Sequence, residues 1–201
     1  NVTGKLETDF SIVSKGASSI HLREAYLNFG WNDLGGIVGS VDVKVGQAWH
    51  PMSLDMPCTI GYEAGSPFNP YARSPQLMAG VSFLENFTFT AGVLYPMEFS
   101  PTGPLGPSAD YVKYGLVPEL YAGLGFSTGH FKAKAGVDFL SLKPRWRTLA
   151  DSYYFNKGSA VKDRLSMISP MLFAEYSKGI LKVNAKAVLA SGGDHLRLLG
   201  G

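Results

Sequence analysis

Phe131-Lys132-Ala133-Lys134-Ala135-Gly136-Val137-Asp138-Phe139 places an apolar or small residue at every odd position and, Gly136 apart, a charge at every even one. Only an extended chain, whose side chains point alternately to opposite sides, turns that order into two unlike faces. The same order recurs at residues 5–12, where Leu6, Phe10 and Ile12 oppose Lys5, Glu7, Asp9 and Ser11. It recurs again at residues 181–189, where Leu181, Val183, Ala185, Ala187 and Leu189 oppose Lys182, Asn184 and Lys186. Alternation sustained over this length, aliphatic on one side and charged on the other, is the pattern of a transmembrane β-barrel strand. It points to transport across an outer membrane rather than to catalysis.

The composition of the 201 residues agrees. Charged residues are 17%, below the roughly 25% of a soluble domain. Mean hydropathy is +0.04, as expected where lipid-facing and lumen-facing residues cancel along each strand. No apolar run of about 18 residues offers a membrane-spanning helix. Asn1-Val2-Thr3-Gly4 leads directly into a strand, so for an exported protein the expectation is that the leader has been removed or that the N-terminus lies upstream of these residues. A net charge of +2 without a Lys/Arg run excludes a nucleic-acid binder. Cys58 is the single cysteine; it permits neither an intrachain disulfide nor a cysteine-based metal cluster and reads as an incidental loop thiol.

Nine strands are expected, at 4–13, 20–31, 37–48, 77–84, 87–95, 117–127, 130–140, 166–177 and 180–190. Asn32-Asp33-Leu34-Gly35-Gly36, Leu84-Glu85-Asn86, Ser127-Thr128-Gly129 and Ser177-Lys178-Gly179 read as tight hairpin turns. Between them lie long connections at 49–76, 96–116 and 141–165. Short turns on one rim and long loops on the other are the asymmetry of bacterial outer-membrane barrels, with the long loops outside. A soluble β-sandwich also has an apolar inner face, but it has no reason to alternate loop lengths so regularly or to carry structureless loops of this size. Trp31, Trp49, Phe87, Tyr95, Phe126, Phe131, Phe139 and Tyr176 stand near strand ends, where interfacial aromatic girdles belong. In the second strand Ile20 and Leu22 share one parity and Ala25, Leu27, Phe29 and Trp31 the other, which requires a β-bulge near Arg23 and Glu24. The expectation is therefore an all-β protein, an antiparallel transmembrane β-barrel, with residues 1–201 as one domain. Nine is odd where closed bacterial barrels are even, so either a short strand is hidden in a loop or the chain is part of a longer barrel, and the second is the expectation.

Five stretches carry a family resemblance: Leu22-Arg23-Glu24-Ala25-Tyr26-Leu27-Asn28-Phe29, Val45-Gly46-Gln47-Ala48-Trp49-His50-Pro51-Met52, Ser66-Pro67-Phe68-Asn69-Pro70-Tyr71-Ala72-Arg73-Ser74-Pro75-Gln76, Ser100-Pro101-Thr102-Gly103-Pro104 and Leu140-Ser141-Leu142-Lys143-Pro144-Arg145-Trp146. With them the chain resembles the porin-like outer-membrane proteins of the Bacteroidota and, more distantly, the DcaP-type trimeric porins. The resemblance implies a barrel of about sixteen to eighteen strands, a homotrimer in the outer membrane, conducting small hydrophilic solutes without a cofactor. Its members are considerably longer than this chain.

A pore selects by size and by the charge on its wall and rim. The lumen face is expected to carry Lys5, Glu7, Asp9, Asp42, Lys44, Glu119, Lys132, Lys134, Asp138, Glu175, Lys182 and Lys186, basic and acidic in equal number. The long loops are richer in basic residues. Arg23, Arg73, Arg145 and Arg147, with Lys44, Asp42, Lys132 and Lys134, are the candidate pore and constriction residues, and an in-folded basic loop would favour anions. The competing expectation is that these arginines are solvated or brace the loops against carboxylates. Pro57, Pro67, Pro70 and Pro75 stiffen the first long loop, and Tyr62, Phe68 and Tyr71 could pack it on the inner wall. The alternative function is a plugged barrel that binds a ligand or partner through its external loops. A third is a soluble binding protein. Enzymatic readings are weak: His50, Ser53 and Asp55 are close in sequence but lack a nucleophile elbow, and His21, His130 and His195 have no metal-ligand spacing, so no metal is expected.

Overall fold

The alternating stretches become one antiparallel sheet. In the computed structural model, residues 1–13, 17–57, 68–148 and 158–198 are described. The strands are β1 (Val2–Val13), β2 (Ala17–Asn32), β3 (Val38–Trp49), β4 (Arg73–Phe83), β5 (Phe87–Leu94), β6 (Thr102–Gly103), β7 (Gly106–Pro107), β8 (Glu119–Ser127), β9 (Phe131–Leu142), β10 (Leu165–Lys178) and β11 (Leu181–Val188), with helix α1 (Asp110–Gly115) before β8. Nine of them form a meander in the order β1-β2-β3-β4-β5-β8-β9-β10-β11, and β6 pairs only with β7. The nine are the nine expected from alternation. The sheet is open, with β1 and β11 at its edges. No helix among the described residues is long and apolar enough to cross a membrane.

Register follows the two-faced spelling. Phe89 pairs with Leu124 and Leu124 with Ala135, so apolar residues adjoin across strands; Thr90 pairs with Gly123 and Gly123 with Gly136 on the other face. The apolar face is open: Leu6, Phe10, Leu77, Phe89, Leu124, Ile168, Leu172 and Val183 are all exposed, Phe10 at 78%. Aliphatic side chains from every strand of the meander lie side by side with no covering layer among the described residues, as on the outer surface of a transmembrane barrel. At the short-turn rim Phe83, Phe87, Phe126 and Phe131 form a row with successive ring centroids 5.7, 5.0 and 6.3 Å apart. Trp31 and Tyr176 stand exposed near the same rim. This is the aromatic belt expected of strand ends at a bilayer interface.

The bulge in β2 falls where parity requires it. Glu7 pairs with Glu24 and Thr8 with Leu22, leaving Arg23 as the extra residue. Two consecutive charges thereby reach the same face: Arg23 Nε lies 3.1 Å from Glu7 Oε1, and Lys5 bonds Glu24. The Gln47 amide closes the bulge by donating to the Leu22 and Arg23 carbonyls.

Glycines on the inner face make room for large neighbours. A Cβ at either Gly123 or Gly136 would lie 2.5 Å from Tyr121 Oη, so the Tyr121 ring rests flat along the wall over both. Gly136→Ala would push that ring off its seat and cost about 1–3 kcal/mol by overpacking; thermal unfolding in detergent measures it, with Gly125→Ala, which meets nothing nearer than 3.6 Å, as the neutral comparison.

Candidate functional site

The inner face is built by wall lysines that need acceptors and by loop segments that supply them. After β3 the chain turns inward through the short helical turn Pro51–Ser53, all three residues buried. Lys132 and Lys134 of β9 both bond the Asp55 carboxylate. Lys186 of β11 donates to the Met52 and Leu54 carbonyls at 2.6 and 2.8 Å. Burial alone would raise the Asp55 pKa, but the two ammonium groups outweigh it and hold the carboxyl below its ordinary 3.8. Because the folded value is lowered, this tether stabilises the inward segment above pH 3.8 and is lost as pH falls through the lowered value. Beside it Thr88, Thr90, Gly123, Gly125, Lys132 and Lys134 line an open recess of about 240 Å³. Asp55→Asn at neutral pH should reproduce acid release: the segment detaches, and Lys132 and Lys134 become more reactive toward a water-soluble acylating reagent, as mass spectrometry of the labelled peptides reads.

Behind this tether lies a buried apolar cluster of Met52, Met78, Leu94, Tyr121, Met171 and Leu196. Embedded in it are four ionisable side chains, His50, Glu119, Asp138 and His195, none more than 2% exposed. His50 directly follows β3; Glu119 opens β8; Asp138 sits on β9; His195 lies in the turn Gly193–Leu196 after β11. His50 Nε2 is 3.0 Å from Glu119 Oε1 and 3.7 Å from Asp138 Oδ1. His195 Nε2 is 3.1 Å from Glu119 Oε1 and 3.4 Å from Asp138 Oδ2. Burial disfavours charge on His195, but Asp138 and Glu119 outweigh it and raise its pKa to about 10. The same carboxylates pull His50 upward against its burial, to about 8. The Met52 N–H opposes them, because it donates to His50 Nδ1 at 3.1 Å, and an imidazolium has no lone pair there to accept it. That hydrogen bond favours the tautomer with its hydrogen on Nε2 and resists the upward pull. Two imidazoles and two carboxylates at this spacing are also the donor types of a transition-metal site; one ligand atom each from His50, Glu119 and Asp138 lie within 4.8 Å of one another.

The structure distributes the candidate pore residues. Lys132 and Lys134 lie on the inner face at the tether, and Asp42 lies on it over Gly80. Lys44 stands over the Tyr26 ring, 4.9 Å from its centroid. Arg23 is engaged by Glu7 and Asp9. Arg73 is buried, stacked 4.4 Å from the Trp49 ring, with its guanidinium 3.3 Å from Glu98; it braces the loop base. Arg145 and Arg147 are exposed just beyond the far end of β9 from Lys132 and Lys134, on the long-loop side. Among the described residues the inward segment is 50–55; residues 58–67 of the first long loop lie outside them. Phe68 is exposed, Tyr71 packs edge-on against Trp49 at 4.8 Å, and Tyr62 and Cys58 lie outside the described residues. His50 and His195 escaped sequence reasoning as members of one group; alternation had placed Glu119 and Asp138 on the inner face, and only the fold adds the histidines.

No protein-family model and no curated protein matches the sequence. The likeness is one of structure: the fold is similar to that of the outer membrane channel DcaP of Acinetobacter baumannii, with a TM-score of 0.64 over 95% of this chain at 15% identity. The chain spans about half of that channel, 48% of its length. At this identity the likeness establishes the fold, a run of antiparallel barrel strands, and the function has to be argued from the two faces.

Proposed function

We propose that these nine strands form part of the wall of an outer-membrane porin, a water-filled β-barrel through which small hydrophilic solutes diffuse unchanged. The observation that carries this reading is the contrast between faces: exposed aliphatic side chains with an aromatic rim on one, and lysines, carboxylates, threonines and glycines on the other. An open sheet edge in hydrocarbon leaves backbone groups unpaired at several kcal/mol each, so the barrel closes with further strands, about sixteen to eighteen in all by the family resemblance. The in-folded segment 50–55 narrows the passage, in the manner of a constriction loop. Lys5, Arg23, Lys132 and Lys134 are each offset by a carboxylate, while Arg145 and Arg147 stay exposed at the loop end, so a weak preference for anions is proposed. A homotrimer belongs to the same proposal and is read from the mass of the detergent-solubilised complex.

Single-channel recording in a planar bilayer, under a salt gradient, tests it on the protein that carries this chain. Stepwise currents whose reversal potential leans mildly toward the anion are expected. Folded, detergent-stable protein that passes no current would overturn the porin reading in favour of a plugged, ligand-binding barrel.

A further inference from the structure

We propose that His195 Nε2, Glu119 and Asp138 bind one divalent transition-metal cation of the zinc class, which fastens the turn Gly193–Leu196 to the inner wall. The site goes beyond the channel reading and does not depend on whether solutes pass.

Charge is the first argument. His50 accepts the Met52 N–H on Nδ1, so its hydrogen sits on Nε2 and faces Glu119 Oε1. His195 is fixed in the other tautomer. Its Nδ1 lies 3.0 Å from the Gly192 carbonyl, which can only accept, so Nδ1 carries hydrogen and Nε2 is available as a ligand. Glu119 and Asp138 are two carboxyl groups held out of water on one side of His195 Nε2, and a divalent cation between them and the imidazole offsets both.

The polar atoms argue independently. Glu119 Oε2, both Asp138 oxygens and His195 Nε2 are buried without a hydrogen-bond partner. These groups approach closely without hydrogen-bond alignment, as ligands of one ion do and as an ordinary buried ion pair does not. At bond lengths of about 2.0–2.2 Å, tetrahedral ligands stand about 3.3–3.6 Å apart; His195 Nε2 is 3.4 Å from Asp138 and, at 3.1 Å, slightly closer than that to Glu119, so a small outward shift of Glu119 admits the ion. One imidazole with two carboxylates suits zinc and its neighbours rather than calcium or magnesium, which favour all-oxygen sites. An outer layer is in place: His50 donates to Glu119, and the Gly192 carbonyl orients His195.

Zinc chloride is the probe. Chelator-stripped protein in detergent is titrated in competition with a chromophoric zinc indicator, and cobalt(II) absorption reports the geometry. The expected result is one zinc per chain and a four-coordinate cobalt spectrum. His50→Ala, which removes an outer-layer donor, weakens binding about 10–100-fold, and Asp138→Asn or His195→Gln weakens it further. Should the ligand variants fail to fold, the wild-type stoichiometry and cobalt spectrum decide. Folded wild-type protein that binds no zinc at micromolar concentration, or zinc affinity unchanged in folded Asp138→Asn protein, would overturn the site.

Discussion

Arginine in place of Leu124 will keep the protein from inserting into a bilayer, and arginine in place of Thr90 will not. Leu124 lies mid-strand in β8 on the exposed aliphatic face, between Phe89 and Ala135. Thr90 lies one register position away on the adjacent strand, on the face that lines the recess with Lys132 and Lys134. A guanidinium at the hydrocarbon midplane costs about 2–4 kcal/mol on a barrel's lipid face, whereas lumen positions tolerate charge. The fraction that folds into vesicles, followed by protease protection, separates the two variants. Equal insertion by both would mean that the aliphatic face is not in lipid.

Removing the imidazole of His195 has the second large effect. His195→Ala leaves Glu119 and Asp138, both essentially inaccessible, facing only the ring of His50. Breaking a buried charge group by deleting one partner costs about 3–5 kcal/mol. The loss is local in origin. The Tyr71 N–H donates to the Leu196 carbonyl at 2.9 Å, so a displaced turn also loosens the base of the first long loop. Lower thermal stability, with a larger and noisier current, is expected. A variant as stable as the parent would show that the four side chains are not coupled.

The sheet was legible because lipid and water on opposite faces force strict alternation, and alternation is local. Residues 131–139 state it outright, and the parity switch between Leu22 and Ala25 located the Arg23 bulge without any structure. Legibility faded where alternation did. β4 begins at Arg73, four residues before the expected start, because Arg73-Ser74-Pro75-Gln76 is polar, contains proline and reads as loop; its backbone pairs with β3 all the same, Pro75 opposite Gln47. Helix α1 and the β6–β7 hairpin are too short to leave a period, and α1 ends on Leu116 in a left-handed conformation, φ 57°, which no glycine announces. The tether was half legible: Lys132 and Lys134 were placed on the inner wall, but their acceptor Asp55 stands 77 residues away from Lys132. The buried group at positions 50, 119, 138 and 195 is less legible still. Motif spacing detects ligands on one helix or turn, whereas an antiparallel meander gathers residues from four distant segments onto one patch of wall.

Whether the polar face bounds a water-filled passage is decided most directly by single cysteines on β5, in a Cys58→Ser background, probed with a membrane-impermeant, negatively charged thiosulfonate during single-channel recording. Thr90→Cys should react and its current should drop in a step, while Phe89→Cys, its immediate neighbour on the opposite face, should neither react nor change its current. Block at Phe89→Cys but not at Thr90→Cys, or equal reaction at both, would contradict a lipid-facing outer surface around an aqueous lumen.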